Sequence, residues 1–351
     1  MLESSPEQYR GLTYPFSRGA NPPPGEPQKI ADGVYWARFA MPMSLDHINL
    51  WLLEDDRGWV IVDTGLGTET TRELWKQVFD GPMGGRPVTH VVATHLHPDH
   101  VGCAGWLAHE FHTDLWMTRD EYMLCRILVA DTGKPAPPEG VHFYKAAGFS
   151  EEALQRYRKN FGLFGTMVSP LPESYRRLAD GETLRFGRHE WQVLVGRGHS
   201  PEHACLYSAE SNVLLAGDQL LPTISSNVSV WPTEPDGDPL RDWLASLRDM
   251  QNRLPEDVLV LPAHGKPFRG AHVRLQQLID EHEQKLSELH EWCAQPRRAV
   301  DTFAALYKAR IGADNRILAT GEALAHLHFL MSEGRMIAEP DSDGVIWYRS
   351  T

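Results

Sequence analysis

Hydrophobic and polar positions along the chain change their period several times. From Ile30 to Asp63, the short apolar runs Gly33–Ala40, His47–Leu53 and Gly58–Asp63 are rich in β-branched and aromatic residues. Turn residues such as Glu54-Asp55-Asp56-Arg57-Gly58 separate them, so they predict strands. Residues 67–80 space Leu74, Val78 and Phe79 at helical intervals and predict a helix. Val88 to Thr94 then predicts a buried strand, and strand–helix–strand order makes the chain mixed rather than all-β. Residues 118–180 form an insertion that is mostly helical in pattern, broken by the loop DTGKPAPPEG. Strand patterns resume at Glu182–Phe186, Trp191–Val195, Ala204–Tyr207, Val213–Ala216 and Val258–Pro262, with a Pro-initiated helix over 239–253. From residue 271 onward the pattern is helical (271–295 and 317–334) until a final hairpin around Pro340-Asp-Ser-Asp-Gly344. The Pro- and Gly-rich residues 1–29 predict an irregular arm. Three regions are therefore expected: the arm at 1–29, a main domain at 30–270 and a helical, winged-helix-like domain at 271–351.

Composition narrows the class. The chain has 351 residues, 42% hydrophobic and 23% charged, which is ordinary for a folded globular protein. No apolar run approaches the roughly 18 residues of a membrane span, and the first twenty residues lack a basic start followed by an apolar stretch. A cytoplasmic chain with no membrane partner is expected. Net charge is −13, which argues against a whole-protein footprint on nucleic acid. Four scattered cysteines include no C-x-x-C pair, so they are expected to be buried reduced thiols. Against these stand 17 histidines.

Three of those histidines fall within Thr94-His95-Leu96-His97-Pro98-Asp99-His100. Side chains two apart at a strand end project the same way, so His95 and His97 can converge on one ion. The chain turns at Pro98, and Asp99 and His100 can face a second ion from that turn. A helix here is not expected, because Pro98 would lie inside it. Imidazole nitrogen with carboxylate oxygen suits Zn²⁺, with Mn²⁺ or Fe²⁺ as alternatives. Downstream, His199 lies between two predicted strands, while Asp218, His264 and Asp63 each close a predicted strand. Polar ligands gathered at one sheet edge are how such scaffolds build sites.

The ordered motifs VDTG, THLHPDH, GHSPEH, AGD and PAHG resemble those of the metallo-β-lactamase superfamily across residues 30–270. The resemblance implies an α+β fold, an αββα sandwich of two mixed sheets with helices outside. It also implies two Zn²⁺ ions per chain. His95, His97 and His199 would hold the first, Asp99, His100 and His264 the second, and Asp218 would bridge them. Asp63 would orient a ligand. His203 lies off the ligand pattern and is expected to support the site rather than bind metal. Asp99 and Asp218 would take part in catalysis, with hydroxide held between the ions attacking an acyl or phosphoryl centre. A leaving-group acid is not identifiable, although the insertion or residues 219–232 could supply one.

The tail at 271–351 resembles that of a subgroup that includes human β-lactamase-like endoribonucleases, which raises RNA as a partner. It carries 9 Lys plus Arg against 12 Asp plus Glu, so charge disfavours RNA. Such a tail also serves as a packing or dimer module, so a homodimer is a further expectation; its removal is expected to spare the metal site, unless burial at the domain interface makes the truncated chain insoluble. The insertion and the loop 222–232 bring aromatics, Met and uncharged polar residues instead of Lys and Arg. That lining favours a small acyl substrate: a thioester, ester or lactone. The contrasting readings are a phosphodiesterase and a non-catalytic metal-binding sensor.

Overall fold

The computed structural model describes residues 7–16, 21–43, 45–81 and 83–351. The part of the expected arm that is described contains a hairpin, β1 (Glu7–Tyr9) and β2 (Leu12–Tyr14), instead of irregular chain. Leu12 and Tyr14 are buried, and Thr13 exchanges backbone hydrogen bonds with Arg269. The core therefore recruits two apolar side chains from a segment whose composition reads as loop.

The first sheet has seven strands in sequential order: β3 (Gln28–Ala31), β4 (Val34–Ala40), β5 (His47–Glu54), β6 (Trp59–Val62), β7 (Val88–Val92), β8 (Leu115–Met117) and β9 (Arg176–Arg177). It is antiparallel through β6 and parallel from β6 to β9. The second sheet has five: β10 (Thr183–Phe186), β11 (His189–Gly196), β12 (His203–Ser208), β13 (Val213–Gly217) and β14 (Leu259–Pro262). Only its last pair is parallel. The C-terminal hairpin is β15 (Met336–Pro340) with β16 (Ile346–Ser350).

Strand alternation sorts side chains into layers. Trp51, Leu53, Val60 and Val62 of the first sheet meet Val193, Leu206 and Leu215 of the second in the interior between the sheets. On its outer face, Ile48, Leu50, Leu52 and Ile61 pack with residues of α1 (Glu69–Asp80), α2 (Pro98–Val101), α3 (Ala104–Glu110) and α4 (Arg119–Ala130). The insertion continues with α5 (Pro138–Ala146), α6 (Glu151–Asn160) and a short 3-10 turn. The second sheet's outer face carries Cys205, Leu214 and Ala216, which share one buried core with α7 (Pro239–Arg253), α8 (Ala271–Trp292), α9 (Phe303–Leu306) and α10 (Arg316–Ser332). The layer order is helix, sheet, sheet, helix, as the resemblance implies.

Two details differ from the sequence reading. Pro98 does not prevent a helix: it occupies the first turn of α2, where a missing N–H costs nothing. The insertion's aromatics Tyr144, Phe149 and Tyr157 pack on one another and Leu154, so they form its core. All four cysteines are buried and free. Among the described residues, no helix is long and apolar enough to cross a membrane.

Candidate metal centre

Parallel pairing puts the C-terminal ends of β6 and β7 at one edge of the first sheet, and those of β13 and β14 at one edge of the second. Backbone bonds stitch these edges together: Ala204 N–H donates to the Thr94 carbonyl (2.8 Å), and Asn49 N–H to the Ala263 carbonyl (2.7 Å). Every chain segment that leaves this edge delivers a polar side chain. Asp63 follows β6, His95 and His97 follow β7, His199 follows β11, Asp218 follows β13 and His264 follows β14. Asp99 and His100 project from α2. The backbone conforms to the need. Asp63 adopts φ +61° and Gly217 φ +49°, and a Cβ at Gly217 would lie 2.5 Å from the His203 ring. Glycine therefore lets His203 approach the chain just before Asp218.

The donor atoms fall into two groups, each spanning no more than 4.8 Å: His95, His97, His199 and Asp218 in one, Asp99, His100 and His264 in the other. His95 Nε2 lies 2.8 Å from His97 Nδ1 and 3.3 Å from His199 Nε2. Asp218 spans both groups: Oδ2 is 3.4 Å from His199 Nε2 and 3.5 Å from His100 Nε2, and Oδ1 is 3.4 Å from His264 Nε2. His264 Nε2 is also 3.3 Å from Asp99 Oδ2.

Tautomers follow from what the outer ring nitrogens touch. His199 Nδ1 donates to the Asn227 carbonyl (2.7 Å) and His264 Nδ1 to the His47 carbonyl (2.8 Å). His100 Nδ1 donates to Asp63 Oδ2 (2.8 Å), a carboxylate also held by Thr94 N–H and Oγ1. Each leaves Nε2 aimed inward. His203 does otherwise: its Nε2 accepts from Asp218 N–H at 3.0 Å, so it fixes the backbone carrying Asp218.

Electrostatics separate the two groups. Burial and neighbouring imidazoles push His95 far down, and burial with His199 pushes His97 down to about 3. Both are neutral, with lone pairs available. Burial opposes charge on His100, but Asp63, Asp99 and Asp218 outweigh it and raise its pKa; Asp218 and Asp99 raise that of His264 in the same way. The proton that His100 holds counters the carboxylates until a cation does so, so cation uptake at neutral pH is expected to release a proton, which an indicator dye in weak buffer would report. His100 Nε2, His264 Nε2 and Asp218 Oδ1 are buried without a hydrogen-bond partner. Orphaned nitrogen and oxygen atoms converging at this spacing fit divalent cations of the zinc type.

Sequence reasoning missed Glu121, wholly buried on α4. Its carboxylate accepts from Leu96 N–H (2.9 Å) and Glu202 N–H (2.8 Å), clamping together the loops that carry His95, His97 and His199. Burial drives its pKa up to about 7 against these bonds. Glu121→Gln presents an amide NH₂ to one of these N–H groups. We expect it to cost about 1–3 kcal/mol, read as a lower Tm in a thermal melt; an unchanged Tm would remove Glu121 from this role.

Comparison with known proteins agrees with the geometry. The family described as metallo-beta-lactamase superfamily matches residues 43–264, and one described as metallo-beta-lactamase-like, C-terminal domain, matches residues 286–351. The crystal structure of a beta-lactamase domain protein from Burkholderia ambifaria is similar, with TM-score 0.89 and 39% identity over 97% of this chain and 98% of that one. A probable metallo-hydrolase from Bacillus subtilis is 24% identical over 86% of this chain and 93% of its own. An acyl-coenzyme A thioesterase from Bos taurus is 25% identical over 54% of this chain and 64% of its own. Two stitched sheets, two donor groups on their shared edge and a family match across most of the main domain lead to one conclusion: the chain belongs to the metallo-β-lactamase superfamily.

Proposed function

We propose that this protein is a binuclear, zinc-dependent hydrolase acting on a small acyl substrate, a thioester, ester or lactone. The observation that carries this is Asp218, whose single carboxylate reaches both donor groups while its Oδ1 and two facing imidazole nitrogens lack other partners. His95, His97 and His199 would hold one cation, Asp99, His100 and His264 the other, and Asp218 both. When bound, such cations supply a Lewis acid and lower the pKa of water from about 15.7 towards about 7.

The chain's own residues do the rest. Asp63, Asn227 and His47 hold three imidazoles in one tautomer, so the site is preorganised. His203 and Ser226 grip the backbone of Asp218 from both sides, through its N–H and its carbonyl. Leu96, one residue from two of the imidazoles, is buried against the first sheet's outer core, which excludes water from that flank. Exposed Ile224 and Leu318 flank the Asn227 segment and offer apolar contact for an acyl chain. The thioesterase name of the Bos taurus relative points the same way.

The test is a panel of an acyl-coenzyme A thioester, a lactone, a phosphodiester and single-stranded RNA, offered to zinc-loaded protein. Thioester or lactone turnover that stops on chelation is expected. Turnover confined to RNA or the phosphodiester would overturn the acyl reading, and no turnover with two zinc ions bound would favour the sensor.

A further inference from the structure

The C-terminal helices lie behind the metal centre and grip the loop that follows Asp218. On α8, the buried Arg274 guanidinium donates to the carbonyls of Leu221 (2.7 Å) and Ile224 (2.9 Å). On α10, Glu322 accepts from Asn227 Nδ2 at 3.2 Å, and its other oxygen pairs with Lys285 of α8 at 3.0 Å. Ser229 Oγ donates to the Leu318 carbonyl (3.3 Å) and Val230 N–H to that of Gly321 (3.1 Å). A Cβ at Gly321 would fall 2.6 Å from the Ser229 side chain, so the glycine is what lets loop and helix meet. Asn227 is the junction. Its side chain is tied to α10, while its carbonyl receives the Nδ1 proton of His199.

From this continuous chain, Lys285–Glu322–Asn227–His199, we infer that Glu322 and Asn227 are positioning residues through which the C-terminal helices set the orientation of a metal-binding imidazole. The inference rests on the metal-centre reading above. It makes a selective statement about the two donor groups. His100 is oriented by Asp63 and His264 by the His47 carbonyl, and neither Asp63 nor His47 is hydrogen-bonded to α8 or α10. Loss of the strut should therefore weaken the group containing His199 and spare the other.

Asn227→Ala keeps the backbone carbonyl that His199 uses and removes the tie to α10, together with the local bond that Asn227 Oδ1 accepts from Ser229 Oγ. Asn227→Asp goes further by facing the Glu322 carboxylate with a second one. Adding Glu322→Gln to Asn227→Asp restores complementarity, since the Gln amide donates to the new carboxylate while its oxygen still faces Lys285. The measurement is Zn²⁺ titration of full-length protein against a chromogenic chelator, with Tm recorded for each metal-free variant. Wild type is expected to bind two ions. In Asn227→Ala one of the two affinities should fall about 10-fold, the low end for a residue that orients a ligand, and the other should stay within about 2-fold. Asn227→Asp should lose more, and the double variant should recover most of the loss, which a general loss of stability would not do. Wild type binding no zinc would defeat the metal-centre reading itself. Wild type binding two ions, with the variants matching it or losing both affinities equally, would overturn the strut alone.

Discussion

Replacing Asp218 by alanine is expected to lower kcat/KM on the acyl substrate at least about 1000-fold, the upper range for loss of one preorganised charge-stabilising group, and to leave fewer than two zinc ions per chain. Charge decides the outcome. Two dications would bring four positive charges into a buried site whose facing anions are Asp99 and Asp218, with Asp63 behind His100. Asp218 alone spans both groups, and its neighbours hold its pKa far down against the cost of burial, His264 and His100 foremost. Without it, two cations would face each other with one anion fewer, in a medium that screens poorly. Asp218→Asn keeps the shape and removes the charge, so it should fail nearly as badly. Elemental analysis for zinc together with initial rates checks both variants. Asp218→Asn with two zinc ions and wild-type turnover would sink the proposed role.

How much of this site is legible without coordinates depends on where each partner sits in the chain. THLHPDH concentrates four donors in one turn. His199, Asp218 and His264 each follow an apolar run that reads as a strand. The strand periodicity also separates the two faces of each sheet. Short elements escape: β1, β2 and β9 have two or three residues each, too few to show a period. The supporting groups escape for another reason. Glu121 sits on a helix where an acid ordinarily reads as solvated surface, and what makes it structural is a pair of N–H donors, one of them 81 residues away. Asn227 meets Glu322 across 95 positions. Such contacts leave no local signature, because only the packing of one layer on another creates them. The aromatics of the insertion are ambiguous for a different reason. Their composition suggests a ligand pocket, but a helical excursion needs a core of its own, and Tyr144, Phe149 and Tyr157 supply it.

That dependence on packing bears directly on what removal of the tail does to the metal site. A chain ending at residue 270 is expected to be insoluble or, when recovered, to bind fewer than two zinc ions. Leu275, Leu278 and Ile279 of α8, with Leu324, Leu327 and Leu330 of α10, are buried in one cluster with Trp243, Leu244 and Leu247 of α7. Fully burying such a side chain is worth about 1.5–3 kcal/mol, so these six contribute roughly 9–18 kcal/mol. The whole stability of a native protein is about 5–15 kcal/mol. Truncation also removes the helices that share one buried core with Cys205, Leu214 and Ala216 on the outer face of the second sheet, whose far edge delivers Asp218 and His264. It further deletes Arg274 and Glu322, which hold the loop after Asp218. Solubility on expression, a thermal melt and zinc stoichiometry read the three effects separately. A soluble 1–270 fragment with two zinc ions and the Tm of the full chain would show that the sandwich stands alone and that the tail merely rests on it.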